Sequence, residues 1–355
     1  MAAFPKSICF FRLSALGDVT HVVPVVRTLQ QAWPETRLTW VIGRVEHKLV
    51  GDIEGVEFIV VDKRRMWRAW RDLRRAFAGR HFDALLHMQI AFRANVLSSA
   101  IRAKTRVGYD KVRGCELHGW FVNTRIPYRA NQHVLDALGS FVEPLGLRQT
   151  EVRWDLPIPQ EARAFAEEHL PGGQRTLVIS ACSSYVTRNW NPAGYAAVAE
   201  HAARARGFRV VLVGGNSALE CAMRDAILAR VRSPVVDLVG KDTLKRLLAV
   251  LARADVVLAP DSGPMHFANA VGTPVIGLHA PSDPTRSGPY HSQHLCVDHY
   301  DEATRKFLGR PASALRWGKQ VKQPGVMDLI QPAEVIAMFD RFGAEGRGPR
   351  GQLKL

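Results

Sequence analysis

Short apolar runs rich in β-branched residues recur along the chain, separated by stretches whose apolar positions return every three or four residues. In the first half the runs are Ile8–Leu13, Leu38–Gly43, Val56–Asp62, Phe82–Met88 and Thr105–Tyr109. In the second half they are Thr176–Ser180, Phe208–Gly215, Val235–Gly240, Ala254–Pro260 and Pro274–Ala280, with helical spacing over Pro192–Arg206 and Thr243–Ala252 between them. This alternation predicts strands followed by helices. Near-continuous apolar strands suit parallel sheets covered on both faces, so the pattern predicts an α/β fold.

Between the halves, Arg153–Gln174 carries three prolines and two glycines around a short polar helix, the composition of a linker. The pattern therefore predicts two doubly wound Rossmann-like domains, over residues 1–155 and 175–342. Residues 156–174 would join them, and a disordered tail would run from 343 to 355. Ligands of open parallel sheets bind beyond the carboxyl ends of the strands. Two such domains would face each other across a cleft fed by loops from both sides.

Composition adds little until charge is counted. The 355 residues are 47% hydrophobic and 23% charged, ordinary globular values that support cores in both halves. No apolar run reaches the roughly 18 residues of a membrane span, and the first residues read as a strand start rather than a signal peptide. That predicts a cytoplasmic protein. Five scattered cysteines without a CxxC predict reduced packing residues, neither disulfides nor zinc. The 48 Lys plus Arg against 33 Asp plus Glu give a formal charge of +15, which points to an acidic partner. Nucleic acid, an anionic membrane surface and a phosphorylated substrate all satisfy that condition.

The first strand-to-helix turn, "LSALGDVTHVVP" from Leu13 to Pro24, sits where such folds grip phosphate. It has one glycine, Gly17, followed at once by Asp18, whose carboxylate would repel an anion. Asp18 reads either as a helix N-cap or as a base. Pro24 argues against a regular helix from Asp18 onward, since an interior proline costs about 3 kcal/mol, and predicts a helix starting near Pro24.

The second half has the better anion site. Asp261, Ser262 and Gly263 end a buried strand and open a short helix containing His266, where backbone N–H groups and a hydroxyl can meet phosphate oxygens. Simple capping is the alternative. After strand Thr176–Ser180, Ser183, Ser184 and Arg188 offer two hydroxyls and a permanent cation, a set that binds diphosphate without a metal. Nothing in the His, Cys, Asp or Glu spacing calls for a metal ion.

"SALGDVTHVVPVVRTL" near the start and "DSGPMHFANAVGTPVIGLHAPSDP" near the end together resemble glycosyltransferase family 9, the bacterial heptosyltransferases, over roughly Ile8 to Asp340. The resemblance implies a GT-B fold and inverting, metal-independent heptose transfer, with ADP-heptose as substrate rather than cofactor. It further implies a lipid A-linked acceptor bearing Kdo. By position it makes Asp18 the general base and Ser183, Ser184 and Arg188 the diphosphate loop, with Arg188 where a lysine is familiar. Asp261, Ser262, Gly263 and His266 become the nucleotide motif. Ser217 stands about where some members place a ribose-binding acid, with Glu220 as a substitute.

A basic stretch over Asp62–Phe77 interleaves Lys63, Arg64, Arg65 and Arg68 with Met66, Trp67, Trp70, Leu73 and Phe77. It suits a membrane-interface helix or an anionic acceptor site; a solvated basic face over a core stripe is the alternative. Arg93, Arg113, Arg125, Arg129 and His133 are further candidates for Kdo carboxylates and lipid A phosphates. The partners expected are thus an ADP-sugar, an anionic lipid acceptor and the inner face of the cytoplasmic membrane, met by a monomer. A nucleic-acid binder lacks any helix-turn-helix, zinc or RNP signature, and an NAD enzyme lacks G-x-G-x-x-G. A GT-B epimerase remains a rival within the fold.

Overall fold

The computed structural model describes residues 4–62 and 64–344. The chain divides into two compact units, Met1–Pro157 and Ile158–Leu355. The first unit holds β1 (Ser7–Phe11), β2 (Arg37–Gly43), β3 (Val56–Val61), β4 (Phe82–His87), β5 (Ala103–Gly108) and β6 (Thr124–Arg125). They form one parallel sheet in the order β3-β2-β1-β4-β5-β6. The second unit holds β7 (Thr176–Ser180), β8 (Arg209–Val213), β9 (Val235–Asp237), β10 (Val256–Pro260), β11 (Val275–His279) and β12 (Val297–Asp298). Its order, β12-β11-β10-β7-β8-β9, is the same doubly wound arrangement. Central strands β1, β7, β10 and β11 are buried at every residue, which is why they read as unbroken apolar runs. All ten predicted strands are present; the two-residue β6 and β12 are too short to leave a pattern.

Three expectations change. The first helix begins at Leu16, not near Pro24, and runs to Ala32 with Pro24 inside it. Val19, Val22, Val23, Val25, Val26 and Leu29 on that helix are fully buried. At roughly 1.5–3 kcal/mol per buried side chain they outweigh the roughly 3 kcal/mol that an interior proline costs. Residues 156–174 are not a free linker. The helix Gln160–His169 lies there, belongs to the second unit, and packs on the helix Leu244–Arg253 through buried Ala162, Ala166 and Leu170. Arg253 fixes its end by donating to the Leu170 carbonyl at 3.1 and 3.2 Å. Gly343 and Ala344, assigned to a tail, close the helix Pro332–Ala344; the rest of that tail lies outside the described residues. Of the cysteines, Cys9 is buried as a packing residue should be, whereas Cys115 is exposed.

Candidate functional site

In the first unit the turn after β1 is tied down before the helix starts. Leu13 N–H donates to Gln89 Oε1 at 2.7 Å, and Gln89 Nε2 donates to Ser14 Oγ at 3.1 Å. Asp18 occupies the first helical turn, where its Oδ2 accepts from Ala15 N–H at 3.2 Å and pairs with the Arg12 guanidinium. It is therefore a capping acid as well as a candidate base. Arg12 also donates to the Met88 carbonyl. Burial opposes the charge on Arg12, yet Asp18 and Tyr109 hold its pKa above the ordinary value. The guanidinium in turn holds the carboxylate in place. With 37% of its side chain exposed, Asp18 can be reached by a substrate hydroxyl. Arg12, at the end of an apolar run, was passed over as strand. His21 on the same helix packs edge-to-face on His133 with ring centroids 5.9 Å apart.

In the second unit two loops converge. Arg188 Nη1 donates to the Asp261 carbonyl at 3.0 Å and stands 3.3 Å from Asp261 Oδ2, joining the loop after β7 to the loop after β10. Its guanidinium lies over the Tyr185 ring at 4.9 Å. Ser282 Oγ donates to Asp261 Oδ2 at 2.7 Å, Ser287 Oγ approaches at 3.4 Å, and His266 Nε2 lies 3.8 Å from Oδ1. Burial opposes the charge on Asp261, but His266 and Arg188 overcome it and hold the carboxyl well below the usual carboxylate range.

Ser262 is the N-cap of the helix Gly263–Ala270, yet its side chain makes no capping bond. Its Oγ is buried with no hydrogen-bond partner among the described residues. The capping alternative thus fails for this hydroxyl, which lies at the positive end of a helix. Ser183 N–H donates to Asn189 Oδ1 at 2.6 Å while its Oγ accepts from Tyr185 N–H at 3.3 Å; Ser184 is exposed. Glu220 is engaged elsewhere. Its carboxylate accepts from Gly215 N–H at 2.7 Å and Ser217 Oγ at 2.5 Å, completing a capping box with Ser217.

The acceptor candidates divide. Arg64, Arg65 and Arg68, joined by Arg44, line a groove of about 570 Å³ between β3 and the helix Met66–Ala76; Lys63 lies outside the described residues. On that helix Ala69 and Leu73 face the core, with Met66 and Trp70 packed against it, and only Trp67 joins the basic face. Arg93 and Arg125 are exposed. Three others are spent inside the unit: Arg113 on Asp110, Gln132 and the Pro127 carbonyl, Arg129 on Glu143 and Ser140, and His133 as the N-cap of Val134–Gly139. Among the described residues, no three His, Cys, Asp or Glu side chains are placed to hold a metal ion.

The sequence profile described as glycosyltransferase family 9 (heptosyltransferase) matches residues 70–315. The chain is 38% identical over 339 residues to the lipopolysaccharide core heptosyltransferase OpsX of Haemophilus influenzae, covering 96% of this chain and 97% of that one. A family 9 glycosyltransferase from Veillonella parvula superposes with a TM-score of 0.79 at 22% identity, over 98% of this chain and 99% of the other. The E. coli heptosyltransferase WaaC with ADP does so with 0.72 at 19% identity, over 95% and 99%. Both share the two doubly wound units of the GT-B fold. With a match over more than half its length, a close relative over nearly all of it, and this fold, the chain belongs to glycosyltransferase family 9, the heptosyltransferases.

Proposed function

We propose that this enzyme moves heptose from ADP-heptose to the Kdo or inner-core sugars of a lipid A-linked acceptor in lipopolysaccharide core synthesis. It would act from the cytoplasm at the inner face of the membrane, by an inverting displacement that needs no metal ion. The observation that carries the reading lies in the second unit: the buried Ser262 Oγ at a helix N-terminus, without a hydrogen-bond partner among the described residues, next to the Asp261 carbonyl that Arg188 grips. Such donors stabilise charge that develops on a leaving diphosphate.

The other half of the reaction falls to Asp18. As the acceptor oxygen bonds to the anomeric carbon, its proton passes to the Asp18 carboxylate, and the electron pair of the breaking C–O bond goes to ADP. Arg12 and the Ala15 N–H hold the carboxylate in place before the proton arrives. The acceptor's anionic groups are assigned to Arg44, Arg64, Arg65 and Arg68 around the groove, with Arg93 and Arg125 beyond it. Arg113, Arg129 and His133 are left out because the two guanidiniums already donate within the unit and His133 Nδ1 accepts the capping bond from Leu135 N–H. Support for the donor comes from the OpsX-type relatives and the ADP held by WaaC.

Titration with ADP tests the donor side. Arg188→Ala should weaken ADP binding about 10- to 100-fold, the worth of a charge-assisted hydrogen bond of roughly 1.5–3 kcal/mol. Unchanged affinity in a folded variant would remove Arg188 from the site.

A further inference from the structure

We infer that Tyr109 is a positioning residue for heptose transfer, acting on Asp18 through Arg12. This role rests on the proposal that Asp18 is the base. Asp18 lies in the first turn of the helix Leu16–Ala32 with 37% of its side chain exposed. A side chain so exposed samples several rotamers unless bonds choose one. The Ala15 N–H, at 3.2 Å, and the Arg12 guanidinium make that choice. Arg12 is itself long and many-jointed, and its planar fork directs a carboxylate only once the fork has been held.

Two groups hold it from behind. The Met88 carbonyl accepts from Arg12 Nη1, and the Tyr109 side chain hydrogen-bonds Arg12. Tyr109 Oη also donates to the Met88 carbonyl at 3.4 Å, so guanidinium, hydroxyl and carbonyl close a ring. Arg12 follows β1, Met88 follows β4 and Tyr109 follows β5, three neighbouring strands of one sheet. The ring therefore spans the carboxyl ends of those strands, where open parallel sheets place their ligands. At 3.4 Å the bond to Met88 is long for an O–H donor and offsets little of the cost of burying a hydroxyl. The tie to Arg12 supplies the rest. Tyr109 and Asp18 both favour the charged guanidinium, which burial opposes.

Tyr109 is anchored well enough to act as the fixed end of this chain. It is buried, and its ring packs edge-to-face on Phe141 with centroids 5.0 Å apart. Its N–H donates to His118 Nε2 at 3.1 Å; His118 Nδ1 meets Asn95 Oδ1 at 2.9 Å, and the same oxygen meets His87 Nε2 at 2.9 Å. Gly108 permits the approach, since a Cβ there would collide with His118 Nε2. A tyrosine ring has two side-chain torsions, so once packed it gives its hydroxyl a fixed place at little entropic cost. Phenylalanine would pack on Phe141 as well. What tyrosine adds is the hydroxyl that meets Arg12.

A double-mutant cycle tests this, with heptose transfer from ADP-heptose to Kdo-lipid A measured for the wild type, Tyr109→Phe, Asp18→Asn and the double variant. Tyr109→Phe removes the hydroxyl and keeps the ring. Alone it should lower kcat about tenfold, the worth of one hydrogen bond, with KM for ADP-heptose and ADP affinity within about twofold. In the Asp18→Asn background the same change should alter kcat by less than about twofold, because its effect passes through the carboxylate. Equal losses in both backgrounds, or a Tyr109→Phe chain that does not fold, would make the hydroxyl structural and overturn the inference. A slow Asp18→Asn enzyme beside a Tyr109→Phe enzyme of normal kcat would strike Tyr109 alone. An Asp18→Asn enzyme as fast as the wild type would remove the base, and the role of Tyr109 with it.

Discussion

Asp18 was legible as an acid in the wrong place for a phosphate, and its capping role was legible too; what the sequence hid was Arg12, whose pairing with Asp18 depends on the turn between them. Ser262 teaches the reverse. Its residue type and position read equally as a cap, and only the missing capping bond separates the two. Ser262→Ala should leave stability within about 0.5 kcal/mol, since the hydroxyl has no protein partner to lose, while ADP affinity falls about tenfold. Thermal unfolding alongside ADP titration checks both. A destabilised variant with normal ADP binding would make the hydroxyl structural. Ser282 and Ser287 went unremarked within the quoted motif, because nothing local to them announces that they hold Asp261 from 21 and 26 residues away.

At the scale of elements, strands were legible because buried parallel strands are continuous apolar runs, and the helix Leu16–Ala32 was misjudged because a local rule about proline was set above the burial of six side chains. The helix Gln160–His169 was read as polar, although Ala162, Ala166 and Leu170 form a stripe at spacing four that seats it on its neighbour. Ser217-Ala-Leu-Glu220 carries the S-x-x-E of a capping box, a signal present in the sequence and overlooked in favour of a ribose contact. Glu220→Gln should therefore cost about 1 kcal/mol of stability and leave ADP affinity within about twofold. A tenfold loss of ADP affinity would restore the ribose role.

His118, buried in the short turn His118–Trp120 of the first unit, supplies a pH test. Burial, with Arg125 nearby, lowers the His118 pKa from 6.5 to about 4, so the folded chain keeps it neutral while the unfolded chain protonates it. That stability is full above pH 6.5 and is lost as pH falls through about 4. His87, His279 and His291 are also lowered and act in the same direction, whereas His299 is raised and opposes them. Denaturant unfolding across this window should show His118→Gln losing about 3 kcal/mol less than the wild type. Equal losses would contradict a neutral, buried His118.

For the whole molecule, the repeated alternation in the two halves was enough to give two doubly wound units, and each adopts the same strand order. The formal charge of +15 pointed to an acidic partner without choosing one. In the structure Arg44, Arg64, Arg65 and Arg68 line one groove of the first unit. The role proposed for Asp18 is to take the acceptor's proton in the transfer of heptose. Its most direct test is mass spectrometry of the product formed from ADP-heptose and Kdo-lipid A by the wild type and Asp18→Asn. The account predicts a singly heptosylated acceptor from the wild type, and turnover about a hundredfold lower or worse from the variant with ADP affinity within a few-fold. An acceptor left unheptosylated by the wild type, or a variant that turns over as fast, would contradict it.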